Sequence, residues 1–184
     1  METVAVYSES KIRTYGFDLQ QGLNLMEMDL SDDNIHQWGN TLSGAPWEGC
    51  RFEWMVAWTD QGPSTKFWLL CDDANARICA HHLKGAAADP MDFVLNSAVR
   101  VDVIRFQGPH FGDRFGVADY TLTALVRHGI DFMGMTCSIS GISLVLPRGR
   151  GQTATTVLRS VFEIPQKTSS KGRCTGKNQR RSHE

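Results

Sequence analysis

A chain of 184 residues is long enough for one domain or two small ones, and at 41% apolar it can bury a core. No run of eighteen apolar residues occurs and the first residues lack a charged-then-apolar leader pattern, so neither membrane insertion nor secretion is supported and the cytoplasm is the expected compartment. The net charge of -1 hides an asymmetry: the segment from Gln166 to Glu184 holds six of the 19 basic residues and one of the 20 acidic ones, leaving an acidic body and a basic tail.

In chain order, Val4 to Tyr7, Lys11 to Phe17 and Leu23 to Leu30 have strand character. Ser31 or Asp32 can cap a helix carrying Ile35, Trp38 and Leu42, which Gly44, Pro46 and Gly49 end. Phe52, Trp54, Val56 and Trp58 then alternate with Arg51, Glu53, Met55 and Ala57, and a strand Lys66 to Cys71 follows the turn Asp60 to Thr65 as a hairpin. Asp72 or Asp73 can cap the next helix, where Ala76, Cys79, Ala80 and Leu83 share a face before Gly85. The order is strand, helix, strand, strand, helix. Ala86 to Pro90 reads as a linker, and Met91 to Ser97 as an extra strand or a turn, with residues near Phe93 to Val99 able to supply a fourth strand.

The second half repeats the order more clearly. Val101, Val103, Ile104 and Phe106 form a buried strand, and a glycine-rich loop runs from Gly108 to Gly116. Ala118, Leu122, Leu125 and Val126 fall at helical spacing in a helix over Phe115 to His128, with Gly129 as its stop. Met133, Met135, Cys137 and Ile139 alternate with polar or small residues, and Ile142, Leu144 and Leu146 alternate beyond Gly141, which gives a hairpin turning near Ser140 and Gly141. Ala154, Val157, Leu158, Val161 and Phe162 make a second amphipathic helix. The expected fold is therefore α+β: two ferredoxin-like βαββαβ units in tandem, over residues 1–88 and 89–165, with antiparallel sheets, helices on one face, and a disordered basic tail over 166–184. After Phe162 no strand remains to complete the second unit, so residues 1–8, with Val4 to Tyr7 as the donor, are expected to pair with it.

The run from Gly108 through Gly116-Val117-Ala118, then Leu125, Gly129-Ile130, Met135-Thr136-Cys137-Ser138 and Ile142 to Leu146, resembles the second ACT repeat in the regulatory region of aspartate kinases. The likeness spans about sixty residues and departs from the family at Phe115, where a proline is usual, and at Ile139, where a glutamate is common. The resemblance implies ACT-type effector binding at this loop, largely through backbone groups and at an interface between repeats or subunits. It also implies interlocking of the chain between the two repeats. The residues themselves are consistent with this, because a loop entering a helix N-terminus presents unpaired N–H groups that suit a carboxylate. The candidate ligand residues are Gly112, Asp113, Arg114, Phe115, Gly116, Val117 and Ser138, with Asp113 able either to meet an ammonium group or to cap the helix and Arg114 able to pair with a carboxylate. Lys followed by Ser or Thr is missing, which excludes a triphosphate loop.

No catalytic residue, metal site or cofactor is expected. Cys79, His81 and His82 are close in sequence, but neighbours on a helix diverge by about a hundred degrees and no second ligand pair has a usable spacing. The five cysteines are scattered through apolar positions and read as reduced small hydrophobes. Trp54 and Trp58 read as core, and Trp47 beside Pro46 as an interface residue. The expectation is a non-catalytic regulatory protein that binds an amino acid, forms a homodimer and acts on a partner enzyme or regulator. The alternative is a nucleic-acid-binding ferredoxin-like protein using its basic tail, but the tail lacks aromatics for stacking bases and reads more readily as a solubilising extension.

Overall fold

The computed structural model describes residues 11–31, 36, 39, 40, 43, 51–59, 64–86, 93–109, 111, 112 and 114–164. Val4 to Tyr7, Trp47, Cys50, the proposed linker beyond Ala86, His110, Asp113 and the tail lie outside these residues. The elements are β1 (Gly16–Ser31), β2 (Phe52–Thr59), β3 (Ser64–Cys71), α1 (Asp73–Ala86), β4 (Phe93–Gln107), α2 (Val117–Arg127), β5 (Gly134–Cys137), β6 (Gly141–Pro147) and α3 (Gly151–Val161). His36, Gly39, Asn40 and Ser43 are helical as well, within the first helix expected from sequence. The six strands form one antiparallel sheet in the order β2-β3-β1-β4-β6-β5.

Two of these strands are longer than their sequence signals. Lys11 to Phe17 and Leu23 to Leu30 read as separate strands, yet β1 runs unbroken from Gly16, at the end of the first, through the whole of the second, while Lys11 to Tyr15 precede it. The reason is Gly22, whose φ of 72° supports an extra residue in β1 where the register on β4 shifts between Gln21 and Leu23. The bulge switches which residues face the helices, from Phe17 and Leu19 before it to Met26, Met28 and Leu30 after it. Phe93 to Val99 and Val101 to Phe106 are likewise one strand, β4. Its later residues pair with both β1 and β6, and its earlier ones with β1.

Beside the second half of β4 lie Gly16 to Gln21 of β1, which pair with Asp102 to Gln107; Val4 to Tyr7, the expected donor, lie outside the described residues. A single parallel bridge joins Arg13 to Glu163, through Glu163 N–H to Ile12 O at 2.9 Å and Thr14 N–H to Glu163 O at 2.8 Å. The next donor in that ladder would be residue 165, a proline with no N–H.

α1, α2 and α3 pack on one face. Ile104, Phe106, Ile142, Leu144 and Leu146 meet Leu125 of α2 and Ala154 and Leu158 of α3, with Phe162 fully buried against Phe17, Phe106 and Tyr120. Met26, Met28, Leu69 and Cys71 meet Cys79, Ala76 and Ala80 of α1. α2 ends in the αL glycine foreseen from sequence: Gly129 has φ 63°, and Ile130 N–H reaches back to Leu125 O at 3.0 Å.

The other face is curled over itself. Leu25, Leu70, Val101, Val103 and Val145 are all buried there, packed with Leu23, Trp54 and Trp68. Trp68 lies on β3 and Gly134 on β5, with three strands between them in sheet order, yet a Cβ on Gly134 would stand 2.6 Å from the Trp68 ring. Only strong twist and coiling bring those strands together. Trp54 and Trp58 both pack on Trp68, at centroid distances of 6.1 and 5.1 Å, and both are partly buried, Trp54 against the buried cluster of this face.

Candidate ligand site at the loop after β4

β4 ends at Gln107 and the chain turns sharply at Gly108, where a Cβ would collide with both the Phe111 ring and the Arg13 carbonyl oxygen. The loop then folds Phe111 inward. Its ring is 7% exposed and stands edge-on to Phe106 at 5.9 Å, so the inner side of the loop is filled by the chain's own side chain. Gly112 packs on the β5–β6 turn, with a hypothetical Cβ 2.8 Å from Ile139 Cγ2. This contact brings two parts of the sequence-derived site together, the loop and the turn that holds Ser138.

Gly116 is the N-cap of α2, in the αL region with φ 80° and no side-chain cap. Its carbonyl accepts from Tyr120 N–H at 2.8 Å, which leaves the first N–H groups of α2 to solvent or a ligand. Val117 is buried in the core, so only its backbone can contribute there. Phe115 is fully exposed, Arg114 is half-buried and engaged, and Asp113 lies outside the described residues. Ser138 is exposed, but its hydroxyl braces the turn through Gly141 N–H and Gly141 O, both at 3.2 Å. The site residues thus divide into an outward surface of Gly112, Phe115, Gly116 and Ser138, and a buried support formed by Val117 and Phe111.

The alternation of Met133, Met135, Cys137 and Ile139 carries their strand as far as Ile139. β5 stops at Cys137, which is exposed, and Ile139 is 85% exposed at the turn. Together with Phe115 they put apolar surface around the loop mouth. Cys71 and Cys79 are buried, and none of the three described cysteines is in a disulfide. Cys79's thiol is held below its ordinary range by a hydrogen bond with Cys71, against the opposing effect of burial. Among the described residues no group of three His, Cys, Asp or Glu side chains could hold a metal ion, and no helix is long and apolar enough to cross a membrane.

Two polar features escaped the sequence reading. Asp102, 1% exposed on β4, accepts N–H groups of Gly149 at 2.9 Å and Gly151 at 3.0 Å, and of Gly22 at 3.3 Å. On the face opposite α1, α2 and α3, Arg105 is held by Gln20 and by Glu53, whose Oε2 is 3.3 Å away. Neither motif has a sequence signature, since each joins residues far apart in the chain.

No family model matches the sequence, and no curated protein does. Solved structures do match in fold. The ligand-free regulatory subunit of aspartate kinase from Thermus thermophilus superposes with a TM-score of 0.67 at 13% identity, covering 82% of this chain and 99% of that one. Aspartate kinase from Synechocystis gives 0.68 at 16% identity over 87% of this chain and 28% of that one. A C-terminal regulatory domain of aspartate kinase from Porphyromonas gingivalis W83 gives 0.57 at 12% identity over 80% and 96%. At these identities the likeness is one of fold, and it is the fold that the resemblance of residues 108 to 146 implied.

Proposed function

We propose that this chain is a non-catalytic, cytoplasmic regulatory module built of two ACT-like units that interlock through shared strands. It binds an amino acid at the outer surface of the loop after β4 and acts as a homodimer on a separate enzyme or regulator. The observation behind this reading is the strand order β2-β3-β1-β4-β6-β5. Taken with β1 and β4 divided at their midpoints, it contains the ferredoxin-like order twice, each unit borrowing its fourth strand from the first strand of the other. The unit boundaries then fall within β1 and β4 rather than in a linker near residue 88.

Phe111 fills the inner side of the loop, so a ligand would sit outside it. Its carboxylate would meet the N–H groups at the start of α2, and the exposed Phe115 and Ile139 would be covered by a second copy. β5, a short edge strand beside them, gives the second copy a place to pair. Occupancy then matters because ligand and partner copy would share one surface, and a ligand that binds one packing of the dimer better shifts the population toward it.

Thermal unfolding with each amino acid at millimolar concentration, alongside the native mass, tests this reading. The expected result is a dimer stabilised by at least one of them, with the shift growing with ligand concentration. A dimer indifferent to all of them removes the ligand, and a monomer that stays monomeric with ligand removes the signalling mechanism.

A further inference from the structure

A cleft of about 470 Å3 opens where β1 begins and β4 ends, lined by Tyr15, Gly16, Asp18, Arg105 and Gln107, with Phe17 and Phe106 completing it. It shares no residue with the loop site. Asp18 and Arg105 are directly opposite each other on β1 and β4, and strand alternation turns both to the face opposite α1, α2 and α3.

A carboxylate and a guanidinium in such positions would ordinarily pair. Here Arg105 is drawn away, donating to the Gln20 side chain and lying 3.3 Å from Glu53. Glu53 is itself shared with Arg51 at 3.5 Å, so it answers only part of each cation's charge. Arg105 is a quarter exposed and oriented from two sides, and its fork of five N–H donors has capacity left after these contacts. Asp18 is exposed and, among the described residues, has no ion-pair partner. The cleft therefore offers one oriented cation and one unused anion side by side. Tyr15, 70% exposed at its rim, adds an aromatic face.

We infer that this cleft is a second ligand site, for a zwitterionic α-amino acid whose carboxylate pairs with Arg105 and whose ammonium group pairs with Asp18 under Tyr15. A lone cation would leave Arg105 unanswered, and a lone anion would face Asp18 across the strand pair; only a ligand carrying both charges a few ångströms apart meets both groups. Glycine is the smallest such ligand, and acetate and methylamine are its separated charges.

Assigned amide spectra of the full chain, titrated with glycine, alanine, acetate and methylamine, read this site and the loop site separately. The amides of Gly16, Asp18 and Gln107 should shift saturably with glycine and alanine, with acetate and methylamine about tenfold weaker or more. Asp18→Asn should abolish these shifts while leaving the rest of the spectrum in place, and Tyr15→Ala should weaken them about threefold. Absence of the shifts with both amino acids overturns the proposal, as does persistence of the glycine response in Asp18→Asn. A methylamine response equal to that of glycine overturns it too, by making the cleft a simple cation site. Shifts confined to Gly116 and its neighbours would leave the loop reading standing and end this one. Shifts confined to the cleft would do the reverse.

Discussion

Two helices of this protein begin in the same way and are fastened in opposite ways. α1 and α3 each follow a β-hairpin, and each is met at its start by a polar residue from a central strand: Asn24 of β1 for α1, Asp102 of β4 for α3. At α1 the contact is at the surface. Asp72 caps the helix by accepting Asn75 N–H at 2.8 Å, while Asp73 takes Asn24 and Arg100 at 2.5 Å each, with both Asp73 and Arg100 close to half exposed. At α3 there is no side-chain cap from the helix's own end, and the buried Asp102 does the work from another strand. Because Asp102 also holds Gly22 N–H, one side chain ties the start of α3 to the bulge that re-phases β1. The same local task is thus done once with solvent present and once without it, and the energetic consequences should differ accordingly.

The sharpest way to break that comparison is at Asp102. Asp102→Ala leaves the N–H groups of Gly149, Gly151 and Gly22 without their acceptor in a buried place, and should destabilise the protein by about 3 kcal/mol. Asp102→Asn keeps one acceptor oxygen and should cost roughly 1–2 kcal/mol. Urea unfolding measures both, and an Ala variant within about 0.5 kcal/mol of the parent would mean that water replaces the carboxylate there.

A smaller effect sharpens the comparison through the helix starts themselves. Gly151 opens α3, and a Cβ there would stand 2.5 Å from Leu19 Cδ1 and 3.0 Å from the Asp102 carboxylate. Alanine is better than glycine in a helix by about 1 kcal/mol, but Leu19 and Asp102 must both give way, a strain of about 1–3 kcal/mol. Gly151→Ala should therefore lower stability by about 1 kcal/mol. At α1 Ala74 is exposed, so Ala74→Gly should cost at most about 1 kcal/mol, chiefly through propensity. Paired thermal melts would show glycine preferred at one helix start and alanine at the other. A gain in stability on Gly151→Ala would show that the side chains around α3 yield easily.

How much of this could be read from the sequence depends on whether a feature is local. The period of Leu122, Leu125 and Val126, the stop at Gly129, and the alternation of Ile142, Leu144 and Leu146 are local, and they gave α2, its end and β6 within a few residues. Gly22 is local too, but its bulge shifts the apolar alternation from odd to even positions, which makes one strand look like two. That Gly16 to Gln21, the start of β1, lie beside the second half of β4 is a pairing of residues more than eighty positions apart, which no local pattern marks. Ile139 and Cys137 continue the alternation and are exposed because the strand ends first. The loop was found through its glycines and through its resemblance to a known repeat. Phe111, which fills its inner side, belongs to no periodic pattern, and Asp102 and Arg105 act through residues dozens of positions away. Fold followed from periodicity, while the contents of the site depended on contacts that periodicity does not encode.

The weakest of the two fastenings is also the one that pH should release. Asp73's carboxyl lies below the ordinary aspartate range, first because Asn24 donates to it and then because Arg100 does, with partial burial opposing them. A carboxyl whose folded pKa is lowered binds its proton more readily in the unfolded chain, so its contribution is complete above the unfolded value of about 4 and disappears as pH falls through the folded one. Asp73→Asn should therefore be less stable than the parent at neutral pH by a margin smaller than either Asp102 variant shows, and the two stability curves should converge as the solution is acidified below that range. Raising the salt concentration at neutral pH should also narrow the gap, because the pair with Arg100 is exposed enough to be screened. A gap that persists in strong acid would place its origin in the shape of the Asn24 contact rather than in charge, and α1 would then be fastened more like α3 than its exposure implies.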